Sequence, residues 1–179
     1  FFEEISHAGD GGLYAELVEN RGFEEHVLPS SMTYVDGRAV AVDSPNYEHR
    51  VNRRWSIDWN MERKKYQGWK MQAKSAVAKA TVVEAELPLH ENTPNAMRLD
   101  ITSVEKGGKV VLTNTGYWGM GLKSGAKYDL RFYVRSDNYK GGITARISDS
   151  KTGSTYGYVE FKKRKIKEWT EYTAVLNST

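Results

Sequence analysis

An alternation of apolar and polar residues recurs through the second half of this sequence and limits its fold more than any other feature. Residues 127–136 carry an apolar side chain at every second position, namely Tyr128, Leu130, Phe132 and Val134. Residues 143–148 repeat the pattern with Ile143, Ala145 and Ile147. Successive side chains of a β-strand point to opposite faces, so a period of two predicts half-buried strands. This part of the chain therefore favours antiparallel β-structure.

Further strands are predicted at residues 80–87, 96–104, 110–114, 118–122, 155–162 and 169–176. Glycines stand between them where tight turns need a positive φ, at Lys106-Gly107-Gly108, Ser124-Gly125, Lys140-Gly141-Gly142 and Thr152-Gly153. Short strands at this spacing are typical of a β-sandwich or barrel. The length of 179 residues fits one such domain.

The first 72 residues are harder to interpret. Leu13, Tyr14, Leu17 and Val18 recur at helical spacing, which predicts one short helix over residues 13–19. From Met32 to Gln72 the hydrophobic pattern is weak, with turns expected at Asp36-Gly37 and Gln67-Gly68.

Composition excludes several classes of protein. The chain contains no cysteine, so it has no disulfide, thiolate zinc site or cysteine nucleophile. No apolar run approaches the roughly 20 residues of a membrane-spanning helix. The four histidines show no metal-ligand spacing.

Charge is distributed unevenly along the chain. The net charge is +3, yet the first 29 residues hold seven acidic residues and one basic residue, which leaves +9 for the remainder. The chain also starts at Phe1 without an initiator methionine. These observations lead us to expect two joined pieces of a longer protein.

The N-terminal residues resemble a known enzyme family. Residues 2–17, FEEISHAGDGGLYAEL, and Asn20-Arg21-Gly22-Phe23-Glu24 are similar to the opening of the α-L-arabinofuranosidases of glycoside hydrolase family 51. The resemblance implies that residues 1–19 form the first strand and helix of a (β/α)8 catalytic barrel. It also implies that residues 20–179 begin an inserted carbohydrate-binding-like domain.

Later landmarks resemble the jelly-roll modules allied to carbohydrate-binding families 4 and 9. They are Gly68-Trp69, residues 94–99 (PNAMRL), residues 116–120 (GYWGM), residues 128–133 (YDLRFY) and residues 169–172 (WTEY). The resemblance implies a mainly β fold, an antiparallel jelly-roll β-sandwich of the galactose-binding-domain-like type. It also implies more strand beyond Thr179, so we expect an incomplete sandwich whose unpaired sheet edge supports self-association.

The resemblance further implies a parent enzyme that removes terminal arabinofuranosyl groups from plant polysaccharides with retention of configuration. Such chemistry requires two carboxyl groups about 5 Å apart, which in this family lie on later barrel strands outside this chain. Glu4 matches a glutamate that contacts the sugar in the parent. Because those carboxyl groups lie outside this chain, we expect the chain alone to be inactive. The resemblance also leads us to expect a secreted or periplasmic parent.

Aromatic side chains are the candidates for carbohydrate binding, because sugar rings stack on indole and phenol rings. The candidates are Tyr117, Trp118, Tyr139, Tyr156 and Tyr158. Tyr156 and Tyr158 share one face if their strand is regular. Packing beneath a loop or against the barrel is the alternative role of the tyrosines, and Trp118 is alternatively a core residue.

Two further features bear on ligands. Related jelly rolls often hold a structural calcium ion, for which Glu24 is the candidate ligand; no other cofactor is predicted. Residues 162–167 form the densest basic run, but no aromatic residue interrupts it and no nucleic-acid motif accompanies it. A charged connection that discourages edge pairing is the favoured interpretation of this run, with acidic glycans as a second partner and nucleic acid excluded.

Two functional hypotheses follow. The first is a non-catalytic carbohydrate-binding-like domain that contacts arabinose-containing polysaccharide and packs on the catalytic barrel of the same polypeptide. The alternative is a purely structural domain that packs on the barrel and binds no glycan itself.

Overall fold

The computed structural model describes residues 17–41, 56–162 and 167–179. The chain divides into two compact units between Met120 and Gly121. All sheets in the described residues are antiparallel, which confirms the predicted mainly β class. The jelly-roll connectivity and the domain boundary at residues 19/20 stay predictions. No helix among these described segments is long and apolar enough to cross a membrane.

The first unit contains a small three-stranded sheet that the sequence pattern did not predict. Its strands are β1 (Met32–Val35), β2 (Arg38–Ala41) and β3 (Ser56–Asp58), in that order across the sheet. The predicted turn at Asp36-Gly37 is present, with φ of 47° and 80°. Two successive positive φ values are those of a type I′ turn, whose twist matches the strands of a hairpin. Ala39 and Val40 of β2 are buried.

A short polar segment, residues 19–25, forms hydrogen bonds to a helix end and to the long strands of the first unit. Asn20 is 6% exposed, and its side-chain amide donates to the carbonyls of Lys64 and Lys65 at the end of helix α1 (Met61–Lys65). Its side-chain oxygen accepts from the backbone of Glu25. The indole of Trp69 donates to the Asn20 carbonyl at 3.0 Å. One asparagine therefore satisfies several backbone groups that a helix end and a turn leave unpaired.

Glu19 and Gly68 complete this segment. The backbone of Glu19 exchanges two hydrogen bonds with the side chain of Asn114, and its carboxylate accepts from Gln67. Gly68 has a φ of +77°, and a Cβ there would lie 2.8 Å from that of Glu19. Only glycine avoids both the strained conformation and the clash, which explains why a glycine precedes Trp69. We call residues 19–25 the polar clasp.

A long hairpin dominates the first unit. Strand β4 (Trp69–Glu84) pairs with β5 (Asn95–Asn114) along nearly its whole length. The predicted turn at Lys106-Gly107-Gly108 is wrong, because these residues lie inside β5. Lys74 pairs with Lys109 and Ala76 with Val104, so Ser75, at a φ of 45°, lies opposite the four residues 105–108. The glycines therefore serve a bulge in the hairpin.

The second unit contains two antiparallel sheets of two strands each. Strand β6 (Lys127–Val134) pairs with β9 (Thr170–Asn177), and β7 (Ile143–Ser148) pairs with β8 (Thr155–Phe161). Their bounds agree with the predicted strands to within one or two residues. Phe132 stacks on Tyr172 at 5.3 Å, and Phe161 meets both rings edge-on at 5.5 and 5.1 Å. These three rings join the β6–β9 sheet to the β7–β8 hairpin.

Three other predicted elements differ from the structure. The strand expected at residues 80–87 is the last part of β4, which begins at Trp69 and ends at Glu84. The strand expected at residues 118–122 is wrong, since Gly116 and Gly119 adopt φ of +67° and +99° and residues 116–118 form a turn. Most of the helix expected at 13–19 lies outside the described residues, and residues 17–19 are not helical.

Candidate functional site

The outer face of the β7–β8 hairpin carries an exposed tyrosine among polar side chains. Tyr158 is 65% exposed and lies directly opposite Arg146 in the register. The next pair on this face is Glu160 and Thr144, two residues further along each strand. All four side chains are exposed. Cross-strand neighbours have Cβ atoms about 5 Å apart, so these side chains form one continuous surface. We call it the Tyr158 surface.

The inner face of the same hairpin explains why this ring points outward. Ala145, Val159 and Phe161 are less exposed than the residues that alternate with them, and Phe161 belongs to the aromatic cluster. Burial of this apolar face leaves the opposite face, with Tyr158 and Arg146, to solvent. The sequence alternation already put Arg146 and Thr144 on a wet face, but their position beside Tyr158 required the register.

Tyr156 does not join this surface. A register shift separates Ser148, which pairs with Thr155, from Ile147, which pairs with Gly157. Tyr156 is therefore the extra residue of a bulge, and strand β8 is not regular at this point. Its ring is half-buried, and its hydroxyl donates to Asp149 at 3.2 Å. The sequence predicts a shared face for Tyr156 and Tyr158 only if the strand is regular, and the bulge removes that condition.

Asp149 organises the turn between β7 and β8. Its Oδ1 accepts hydrogen bonds from the backbone of Thr152 at 2.7 Å and of Lys151 at 2.8 Å. These donors, that of Thr152 first, lower the pKa of Asp149, because they favour its charged form. The bond from Tyr156 to this carboxylate raises the pKa of the phenol. The Asp149 carboxylate therefore stabilises the turn between β7 and β8.

The remaining tyrosines of the second unit also have local partners. Tyr139 is 40% exposed and donates from its hydroxyl to the carbonyl of Gly142 at 2.8 Å. Tyr133, on the exposed face of the β6–β9 sheet, donates to Glu171 at 2.7 Å, and this bond raises the pKa of its phenol. Both rings retain an exposed portion, but their hydroxyls are occupied within the loop or the sheet.

The candidates of the first unit lie in the turn after β5. Tyr117 is half-buried, and Trp118 is 72% exposed. An exposure this high argues against Trp118 as a core residue of the first unit. Neither side chain lines the open groove of about 410 Å³ on the β4–β5 hairpin. That groove is lined mainly by apolar side chains, among them Tyr66, Trp69, Met71, Ala78, Met97 and Leu112.

The predicted calcium ligand has a different partner in the structure. Both carboxylate oxygens of Glu24 accept hydrogen bonds from Asn95, one from its backbone at 3.0 Å and one from its side chain. This contact ties the polar clasp to the start of β5. The described segments contain no group of three or more His, Asp or Glu residues able to hold a metal ion. Calcium binding at Glu24 stays a prediction, and Glu4 lies outside the described residues.

Comparison with known proteins finds relatives among the α-L-arabinofuranosidases. The chain is 29% identical over 157 residues to α-L-arabinofuranosidase A of Aspergillus kawachii, covering 87% of this chain and 18% of that protein. It is 27% identical over 175 residues to the probable α-L-arabinofuranosidase A of Aspergillus terreus, covering 97% and 20%. It is 35% identical over 139 residues to α-L-arabinofuranosidase 1 of Arabidopsis thaliana, covering 76% and 16%.

These relatives confirm the resemblance to α-L-arabinofuranosidases that the sequence motifs predicted. The chain spans a fifth or less of the length of the relatives described. No protein-family model matches the chain. No solved structure matches it significantly.

Proposed function

We propose that the chain forms a non-catalytic carbohydrate-binding-like domain of an α-L-arabinofuranosidase, an enzyme that removes terminal arabinofuranosyl groups from plant polysaccharides. The similarity along most of the chain to proteins of that name supports the parent activity. The observation that carries the binding role is the Tyr158 surface, where an exposed phenol lies beside charged and hydroxyl groups.

The chemistry of this surface suits a sugar. The face of a furanose or pyranose ring presents C–H groups that stack on the Tyr158 ring. Arg146 is a donor with several N–H groups, Glu160 is an acceptor and Thr144 is both. Vicinal hydroxyls need donors and acceptors close to the stacked ring, and this cross-strand arrangement supplies them. The surface is open, which favours weak binding to the end or side of a polysaccharide.

We expect the catalytic residues to lie in other parts of the parent. Glu24 is bound to Asn95 and Asp149 to its own turn, so each has a structural role. A retaining glycosidase requires a nucleophile and an acid/base on either side of one bond. We therefore expect no p-nitrophenol release from p-nitrophenyl arabinofuranoside by this chain, and release by the chain alone would refute the non-catalytic role.

Titration calorimetry with arabinan and arabinoxylan oligosaccharides tests the binding role. We expect Tyr158→Leu to weaken binding by about tenfold, the value of one lost aromatic contact of about 1.4 kcal/mol. The matched control is Tyr133→Leu, which removes a partly exposed tyrosine from the β6–β9 sheet and should leave the affinity unchanged. Absence of heat at millimolar sugar, or equal losses in both variants, would contradict the proposal.

One observation favours the structural alternative. Leu99 and Ile101 are each 37% exposed, and their cross-strand partners Ala80 and Ala78 line the open apolar groove. An apolar sheet face of this kind suits contact with the rest of the parent polypeptide. Ile101→Ser in the full-length parent should then lower its melting temperature, whereas the same change in this chain alone should have little effect. Equal decreases in the melting temperature of the parent and of this chain would count against a structural role.

A further inference from the structure

We propose that one face of the β4–β5 hairpin binds a linear polysaccharide that carries carboxylate groups, a polyuronate. The face consists of Lys70, Gln72 and Lys74 on β4 with Thr113 and Lys109 on β5. We call it the lysine face. It lies in the first unit and shares no residue with the Tyr158 surface, so it does not depend on the function proposed above.

The register brings the lysines together. Lys74 pairs directly with Lys109, and Lys70 pairs with Thr113. Lys70, Gln72 and Lys74 alternate with Trp69, Met71 and Ala73, so they share one side of the strand. All three lysines are exposed, together with Gln72 and Thr113. Three positive charges therefore lie on one face of the hairpin.

These charges are not compensated within the described part of the chain. The ion pairs found there join Arg38 to Asp58, Lys65 to Glu62, Arg98 to Asp100 and Arg131 to Glu171. None of them involves the lysine face. In the adjacent bulge, Glu105 and Lys106 offset each other in charge. Like charges directly opposite in a sheet are destabilising, so the Lys74–Lys109 pair has a cost that an anionic ligand would remove.

The spacing indicates a polymer. Lys70 and Lys74 are four residues apart on one strand, which separates them by about 13 Å. A small anion contacts one end of such an array, whereas an extended chain with repeated charges contacts both. Gln72 and Thr113 lie between the charges and offer an amide and a hydroxyl for sugar hydroxyls.

The same face lacks features expected for nucleic acid. Its pairs are Lys70 with Thr113, Gln72 with Val111 and Lys74 with Lys109, and no aromatic residue occurs among them. Proteins that bind single strands stack bases on aromatic rings within a positive groove. The lysine ammonium groups suit the carboxylates of a polyuronate, and the hydrogen-bonding side chains between them suit its hydroxyls.

Affinity electrophoresis in gels that contain polygalacturonate tests this proposal. We expect the Lys74→Gln, Lys109→Gln double variant to lose about tenfold in affinity at low salt, and to show a weaker dependence of affinity on salt concentration. Lys123→Gln, Lys151→Gln makes the same charge change in the second unit and should bind normally. Lys74→Arg, Lys109→Arg should retain binding.

Three outcomes would overturn the proposal. They are equal losses in the two glutamine variants, equal binding of methyl-esterified polygalacturonate, and tighter binding of a single-stranded oligonucleotide than of the polyuronate. Thermal unfolding adds a second readout, since Lys74→Gln, Lys109→Gln should unfold at a higher temperature than the wild type. Tyr158→Leu should retain polyuronate binding, so failure of one proposal is distinguishable from failure of the other.

Discussion

The two units differ in the forces that hold each of them together internally. In the first unit, the polar clasp connects helix α1 and both strands of the long hairpin through hydrogen bonds between side chains and backbone. In the second unit, Phe132, Phe161 and Tyr172 join two small sheets through apolar contact. A directional network tolerates few substitutions at its centre, whereas an apolar contact tolerates changes that keep volume. Substitutions in each unit can test that difference.

The greatest loss of stability is expected in the aromatic cluster. Tyr172 is 4% exposed and contacts both phenylalanines. Tyr172→Ala should lower the free energy of unfolding by about 4 kcal/mol, because it leaves a cavity between the two sheets of the second unit. Chemical denaturation measures this change. Tyr172→Phe keeps the ring and should cost much less, so a similar loss in both variants would contradict an apolar origin.

The centre of the polar clasp should be almost as sensitive. Asn20→Ala leaves the carbonyls of Lys64 and Lys65 and the amide of Glu25 without this partner, at a cost of about 3 kcal/mol. Denaturant titration again provides the measurement. The control is Asn60→Ala, which removes an exposed helix cap on Arg63 and should cost about 1 kcal/mol. Equal costs would show that burial of the clasp contributes nothing.

Glycine positions offer a smaller test of the same segment. Gly68 and Gly37 have nearly equal φ, +77° and +80°, but only Gly68 lies against Glu19, while nothing is within 4 Å of a Cβ at Gly37. Gly37→Ala should cost about 1 kcal/mol from backbone conformation alone. Gly68→Ala should cost about 2 kcal/mol, because the new Cβ must also displace Glu19 of the polar clasp. Melting temperatures measure both effects. A larger decrease for Gly37→Ala than for Gly68→Ala would contradict this expectation.

The weakest effect concerns the Asp149 turn in the second unit, an exposed polar contact. The folded-state pKa of Asp149 is lowered, so the charged form stabilises the fold at neutral pH. That contribution is lost as the pH falls below about 4, the usual range of an aspartate. Melting curves of wild type and Asp149→Asn should therefore differ at pH 7 and converge towards pH 3. A difference that grows on acidification would contradict this assignment.

Much of the second unit could be predicted from the sequence. The bounds of β6, β7, β8 and β9 follow from alternation, since each strand buries one face against its neighbours. The first unit was less predictable. Asp36-Gly37 indicated its turn, but β1 and β2 are four residues each, too short to establish a period. The Lys106-Gly107-Gly108 sequence resembled a turn because a bulge and a turn use the same residues.

The candidate site was predictable only in part. Tyr158 is among the aromatic residues that the sequence predicts for carbohydrate binding, but no sequence pattern indicates that Arg146 lies opposite it. The sequence predicts a strand at Trp118, whereas this residue lies in a turn and is mostly exposed. The bulge at Tyr156 separates this residue from Tyr158. The one local signal for it is Gly157, because a glycine inside a strand often marks a bulge or a close backbone approach.

The resemblance to α-L-arabinofuranosidases, the β class and the outward face of each regular strand could all be read from the amino-acid sequence, because they depend on motifs or on neighbouring residues. The folded chain was needed to establish which strands pair, where a bulge interrupts the alternation and that Lys74 lies opposite Lys109. It also assigned Asn20 of the Asn20-Arg21-Gly22-Phe23-Glu24 motif its role at the centre of a hydrogen-bond network. Pairing and burial depend on contacts between residues far apart in the chain, and no local pattern specifies such contacts.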